Sequence, residues 1–211
     1  MCSSDLLPDV AQEVGELHGD AELAEAMARD VLVALAAVPG LDDVVVVTAE
    51  PRAARAAEEV GAVVIHDPEE AGQSAAARRG IAAARADRVL LVPGDCPALD
   101  PGEVVALLTR QGRAGVVIVP DRHGAGTNAL LLSPPDVIEP SFGPGSFARH
   151  AARAHAAGTV VRVAEIGSLG LDVDTPDDLR VLRAVLAARP GGAARTRELL
   201  TRMRPAAAAA G

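Results

Sequence analysis

The stretch Val89-Leu90-Leu91-Val92-Pro93-Gly94-Asp95-Cys96-Pro97 decides the fold class. Four apolar residues in succession read as a strand buried on both faces, which Pro93-Gly94 ends in a sharp turn. Such a strand needs helices on either side, and Ala-rich, Arg/Glu-spotted segments flank it at residues 70–86 and 101–111, the second with Pro in its first turn. The alternation repeats outward. A helix over 22–38, stopped by Pro39-Gly40, precedes a strand over 44–48, and a helix over 51–60 precedes a strand over 62–66. Beyond the central stretch, strands are predicted at 115–119, 128–132 and 159–164, with helices at 146–157 and 176–188. The expectation is an α/β domain over residues 21–189 on a mostly parallel sheet, with 88–92 at its centre. Residues 1–20 read as an atypical N-terminal arm and 190–211 as an Ala/Gly-rich mobile tail.

With 211 residues and 21.4 kDa, one domain with a sizeable core accounts for the chain. All 20 basic residues are Arg. Without Lys there is no Schiff base, no pyridoxal linkage and no GxxxxGK[ST] phosphate loop. A net charge of -9 argues against nucleic acid as a partner. Cys2 and Cys96 are too far apart in sequence to form a metal-ligand spacing or a disulfide framework, which fits a reducing, cytoplasmic setting. No basic start with an apolar core, and no membrane-spanning apolar run, is visible.

Ligands of open α/β sheets collect at the carboxyl ends of the strands. Asp95 stands there after Gly94, either as a hard carboxylate for Mg²⁺ or as an acceptor for turn amides. In Leu171-Asp172-Val173-Asp174-Thr175-Pro176-Asp177-Asp178, an extended chain projects Asp172 and Asp174 to one face, where they can share a cation with Asp95. Thr175 and Asp178 resemble a capping box with Pro176 at N1, so Thr175, Asp177 and Asp178 are read as structural. The stretch Pro120-Asp121-Arg122-His123-Gly124-Ala125-Gly126-Thr127-Asn128 reads as an anion-binding loop or, in part, a plain turn. In Ser141-Phe142-Gly143-Pro144-Gly145-Ser146-Phe147, the glycines let backbone amides approach a ligand and Ser146 opens a helix suited to an anion; Phe147 is read as core.

Taken together, GDCP (94–97), PDRHGAGTNAL (120–130), FGPGSF (142–147) and GLDVDTP (170–176) closely resemble the 2-phospho-L-lactate / phosphoenolpyruvate guanylyltransferases. The resemblance runs from about residue 21 to 188. It implies a single-domain, Rossmann-like nucleotidyltransferase fold of the glycosyltransferase-A type, shared with nucleotide-diphospho-sugar transferases, and a part in making coenzyme F-420. It implies that an acceptor phosphate attacks the α-phosphorus of GTP and releases pyrophosphate, with Mg²⁺ held by Asp95, Asp172 and Asp174. By the same resemblance Thr127, Gly143 and Ser146 bind the phosphoenolpyruvate or 2-phospho-L-lactate, and Arg122 and Asn128 lie in the matching loop as further substrate-binding candidates. A homodimer is compatible with it.

Two departures stand out. The family opens with a strand and loop of the form VPVK then AKSRL, which cradle the GTP phosphates, and residues 1–20 contain no such stretch. Where the family has Leu-Asn before a run of alanines, this chain has Gln73-Ser74. The expected explanations are a truncated or misjoined reading frame, or a non-catalytic chain that binds the acceptor but not GTP. A nucleotidyltransferase for another acceptor is the remaining alternative. An absent first strand would leave neighbouring strands with unpaired edges, predicting poor solubility or a partner that covers them.

Overall fold

The computed structural model describes residues 21–110 and 115–203, so the arm expected over 1–20 and the end of the expected tail lie outside the described residues. Along the chain come α1 (Ala21–Ala36), β1 (Val45–Thr48), α2 (Pro51–Glu59), β2 (Val63–His66), α3 (Gln73–Ala83), β3 (Val89–Leu91) and α4 (Pro101–Arg110). They are followed by β4 (Gly115–Pro120), β5 (Thr127–Ser133), α5 (Ser146–Ala156), β6 (Val161–Val163), α6 (Pro176–Ala188) and α7 (Ala194–Arg202). The helix and strand alternation therefore stands where the hydrophobic pattern puts it.

The strands form two sheets. β1 and β2 pair in parallel, while the larger sheet has the order β3-β5-β4-β6. Within it β4 and β6 are parallel, and β5 runs antiparallel to both β3 and β4. Only residues 121–126 separate β4 from β5, too few for the crossover a parallel pair requires, so the chain turns back on itself.

Among the described residues the stretch 88–92 is not central. β3 lies at one edge of the larger sheet, with all three residues half-buried, whereas every residue of β5 is buried. An apolar run reports that both faces of a strand are covered; it does not report what lies beside it. β1 is likewise apolar and half-buried throughout, and is not hydrogen-bonded to β3. The same two helices serve both strands. On α1, Leu32 shares an apolar cluster with Val44 and Val46, and Val31 shares another with Leu90 and Val92. On α3, Gly80 lies against Val47 and Ile81 clusters with Leu91. The free edges of β1 and β3 thus lie under shared helical cover without a strand between them among the described residues.

The tail expected from residue 190 is also corrected. α7 occupies Ala194–Arg202 and buries Leu199 and Leu200 against Leu23 and Met27 of α1. The buried Asp30 of α1 accepts hydrogen bonds from the Arg195 and Thr196 amides at 3.1 and 2.7 Å, which satisfies the exposed donors of the new helix. Short length and the glycines before it hid this helix from periodicity. Replacing Asp30 by Ala should lower unfolding free energy by about 1–3 kcal/mol, and Asp30→Asn by less because its amide oxygen still accepts. Urea denaturation reads both, and an unchanged midpoint for Asp30→Ala would show that apolar contact alone holds α7.

Candidate functional site

Asp95 follows β3 in a loop that, with the start of α4, is held against Ser168 and Leu169 by three hydrogen bonds. The Cys96 thiol donates to the Leu169 carbonyl at 3.5 Å, the Asp100 amide donates to Ser168 Oγ at 3.0 Å, and the Ser168 amide donates to the Glu103 carboxylate at 3.0 Å. This brings Asp95 into the field of Asp172 and Asp174. Burial first, and then the two neighbouring carboxylates, push its pKa from 3.8 to about 6. Burial also raises Asp172, with Asn128 pulling the other way and Asp174 and Asp121 adding to the rise.

Asn128, 3% exposed at the start of β5, has its Nδ2 buried without a hydrogen-bond partner: the amide is near enough to favour ionised Asp172 but makes no bond of ordinary length to it. A buried amide left unpaired beside repelling carboxylates is an incomplete arrangement in the protein alone. Hard oxygen donors and uncompensated repulsion suit Mg²⁺. Among the described residues no three acid, histidine or cysteine side chains are grouped tightly enough to hold one ion as they stand; Mg²⁺ is commonly held by one or two carboxylates with substrate phosphates and water completing its shell.

The loop between β4 and β5 is built on Asp121, whose carboxylate accepts from the amides of His123, Ala125 and Gly126 at 2.8–3.1 Å. A Cβ at Gly126 would sit 2.6 Å from Asp121 Oδ2, so a larger residue there would displace the carboxylate that organises the loop. Arg122, expected to bind substrate, is instead committed to the N-terminus of α6: Nε donates to Asp178 at 2.6 Å and Nη2 to Asp177 at 2.7 Å. Thr175 and Asp178 form the anticipated capping box there. Burial would raise Asp178, but the Thr175 hydroxyl and Arg122 hold it below the usual carboxylate range. Arg122 therefore locks the loop to the segment that carries Asp172 and Asp174.

The loop over 141–145 surrounds the Arg149 guanidinium. Nη2 donates to the carbonyls of Ser141, Phe142 and Gly143 at 3.0, 3.0 and 3.2 Å, Nε donates to Ser141 Oγ, and Nη1 donates to the Pro144 carbonyl. Gly143 and Gly145 have φ of 98° and 71°, which lets the exposed turn curl around the cation. Ser146 is only 1% exposed and its amide donates to the Gly143 carbonyl at 3.0 Å, so the surface offered to a ligand is the glycine turn rather than the serine side chain. The Phe147 amide donates to the Ala125 carbonyl at 3.2 Å, which joins this loop to the one carrying Thr127. Ser74, in the pair that stands where the family has Leu-Asn, accepts from the Phe142 amide at 2.8 Å.

Sequence reasoning passed over Arg149 and His150 as groups that build the site. His150 is wholly buried, with Nδ1 3.0 Å from Thr127 Oγ1 and Nε2 accepting from the Ser141 amide at 2.8 Å. Burial and the cations Arg149 and Arg153 lower its pKa from 6.5 to about 4. The available signal was two polar residues at the start of an amphipathic helix directly after a glycine turn.

Against known proteins, residues 16–204 match the family described as "Guanylyl transferase CofC like". The chain is 55% identical over 186 residues to a phosphoenolpyruvate guanylyltransferase of Conexibacter woesei, covering 86% of this chain and 83% of that one. It is 38% identical over 187 residues to a 3-phospho-D-glycerate guanylyltransferase of Phenylobacterium zucineum, covering 86% and 84%. The fold is similar to a Desulfovibrio desulfuricans structure assigned to the nucleotide-diphospho-sugar transferases, with a TM-score of 0.65, 17% identity and coverage of 92% and 89%. No helix among the described residues is long and apolar enough to cross a membrane.

Asp95 titrates higher folded than unfolded, so its contribution is present below about pH 4 and is lost as pH rises through about 6. In the absence of divalent cations, Asp95→Asn should raise unfolding free energy at pH 8 by up to ~3 kcal/mol, with the advantage vanishing below pH 4. His150 acts in the opposite direction. Its folded pKa is depressed, so stability is full above about 6.5 and falls as pH drops toward 4. Chemical denaturation of wild type and Asp95→Asn from pH 4 to 8 reads both trends; parallel pH curves for the two proteins would show that Asp95 carries no such burden.

Proposed function

We propose, from the premise that this chain belongs to the CofC-like guanylyl transferase family, that it joins the GMP portion of GTP to the phosphate of phosphoenolpyruvate and releases pyrophosphate. The step belongs to the making of the deazaflavin coenzyme F-420. The observation that carries the site is the placement of Asp95 beside Asp172 and Asp174, next to the unpartnered amide of Asn128. Both reactants are polyanions, so the first obstacle is charge repulsion and the second is alignment.

Asp95, Asp172 and Asp174 are the residues that would hold Mg²⁺, which when bound offsets that repulsion. The Gly143–Gly145 turn, kept in shape by Arg149, receives the acceptor with backbone groups, while Thr127 and Asn128 line the same side. An oxygen of the acceptor phosphate forms the new bond to the α-phosphorus as the bond to the pyrophosphate oxygen breaks. That phosphate is already ionised, so no side chain needs to remove a proton. 2-Phospho-L-lactate and 3-phospho-D-glycerate share the three-carbon acid and phosphate that this reading requires.

The full chain incubated with GTP and Mg²⁺ should release pyrophosphate in the presence of phosphoenolpyruvate, and Asp95→Asn should reduce the rate about 100-fold or more. Parallel reactions with 2-phospho-L-lactate and 3-phospho-D-glycerate rank the acceptors. A folded protein that releases no pyrophosphate with any of the three would overturn the assignment, and calorimetry with acceptor alone would then show whether it binds the acceptor without GTP.

A further inference from the structure

The polarity of one backbone amide fixes the protonation of a buried ring, and through it the direction of a hydroxyl. The Ser141 N–H can only donate, and it points at His150 Nε2 from 2.8 Å. Nε2 must therefore carry a lone pair and no proton. The single ring proton of neutral His150 then resides on Nδ1, which lies 3.0 Å from Thr127 Oγ1. A ring N–H donating to Thr127 fills an acceptor position on that hydroxyl, so the hydroxyl's own proton must be given elsewhere.

Among the described residues Thr127 has no second hydrogen-bonding partner that could accept it, although the residue is 6% exposed and adjoins the unpartnered amide of Asn128. The Thr127 hydroxyl thus presents an unmatched O–H donor at the head of β5. A nearly buried hydroxyl donor left unmatched calls for an acceptor oxygen, which an anion supplies best.

We propose that His150 is a positioning residue that holds the Thr127 hydroxyl as a hydrogen-bond donor toward the phosphate or carboxylate of the acceptor. This rests on the reading of the site given above. The ring cannot do the reverse, because Nδ1 as an acceptor would place a proton on Nε2 against the Ser141 amide. The edge-on contact with Phe142, at 5.2 Å between ring centres and 74° between planes, and the Arg149 bonds to Ser141 hold the ring and its amide partner in place. The chain Ser141 amide, His150, Thr127 hydroxyl consequently couples the glycine turn to the head of β5. A neutral, locked imidazole supplies this order without adding a charge that would vary with pH in the working range.

The test uses the full chain and a double-mutant cycle. Thr127→Val removes the hydroxyl, Thr127→Ser keeps it, His150→Phe removes both ring nitrogens, and His150→Asn keeps an N–H donor on the Thr127 side. His150→Phe and Thr127→Val should each raise KM for phosphoenolpyruvate about tenfold while leaving KM for GTP within about twofold, and the double variant should be no worse than either single one. Thr127→Ser and His150→Asn should recover most of the loss. Additive losses, or an acceptor KM that does not move, overturn the proposal.

If His150→Phe does not fold, ¹⁵N-histidine NMR of the wild type decides the matter. Protonation at Nδ1 supports the lock, and protonation at Nε2 overturns it. A wild-type chain with the Nδ1–H tautomer that neither binds nor turns over an acceptor overturns the proposed function and with it the acceptor role of Thr127. A wild type that turns over acceptor with an Nε2–H ring overturns the positioning role alone.

Discussion

Three carboxylates that repel one another are kept together at the rim of the sheet by hydrogen bonds that none of the three makes. Asp95 is in a different part of the sequence from Asp172 and Asp174, and nothing about the acids themselves would hold the two stretches side by side. The Cys96 thiol on the Leu169 carbonyl, and Ser168 bonded to both the Asp100 amide and the Glu103 carboxylate, do so. Burial, and after it the repulsion that these bonds oppose, pushes Asp95 to about 6. A folded protein that retains such strain at one place retains it for a bound ligand or ion to relieve, and the stability given up there is recovered in the apolar clusters under both faces of the sheets.

Arginine holds the loops in place in this chain. Arg149 gathers the carbonyls of the turn at 141–144, and Arg122 pins the β4–β5 loop to the cap of α6. A planar guanidinium with several fixed donors can satisfy three or four acceptors at once, which an ammonium group on a flexible stem does less well. The absence of Lys therefore costs the architecture little. Arg122 and Arg149 are spent on shaping the two loops beside the acids.

The family and its fold were legible because motif spacing and alternating apolar runs survive in a single sequence. The acids at 95, 172 and 174 were legible for the same reason, each standing directly after an apolar or extended run. The order of the strands was not. β3 is as apolar as a central strand, yet among the described residues it is an edge of its sheet, and β5 runs antiparallel to β4 because a six-residue connection forces a reversal. The helix over Ala194–Arg202 was hidden because what stabilises it, Asp30, lies 165 residues away from Arg195. The pairing of Arg122, read from the sequence as a substrate-binding candidate, with Asp177 and Asp178 was hidden because those acids were already explained at a helix start, and one carboxylate can cap a helix and bind a guanidinium together.

By itself the sequence determined the class of fold, the sites of helix starts such as Thr175-Pro176, and the residue types available for chemistry, because these depend on neighbours within a few positions along the chain. Only the tertiary structure decided which way His150 is protonated, which donors are left unmatched at Thr127 and Asn128, and that Ser146 lies beneath the surface. Those properties depend on the direction of a hydrogen bond or the closing of a packed surface between distant segments. Neither a residue's identity nor its spacing encodes that direction until the chain has folded.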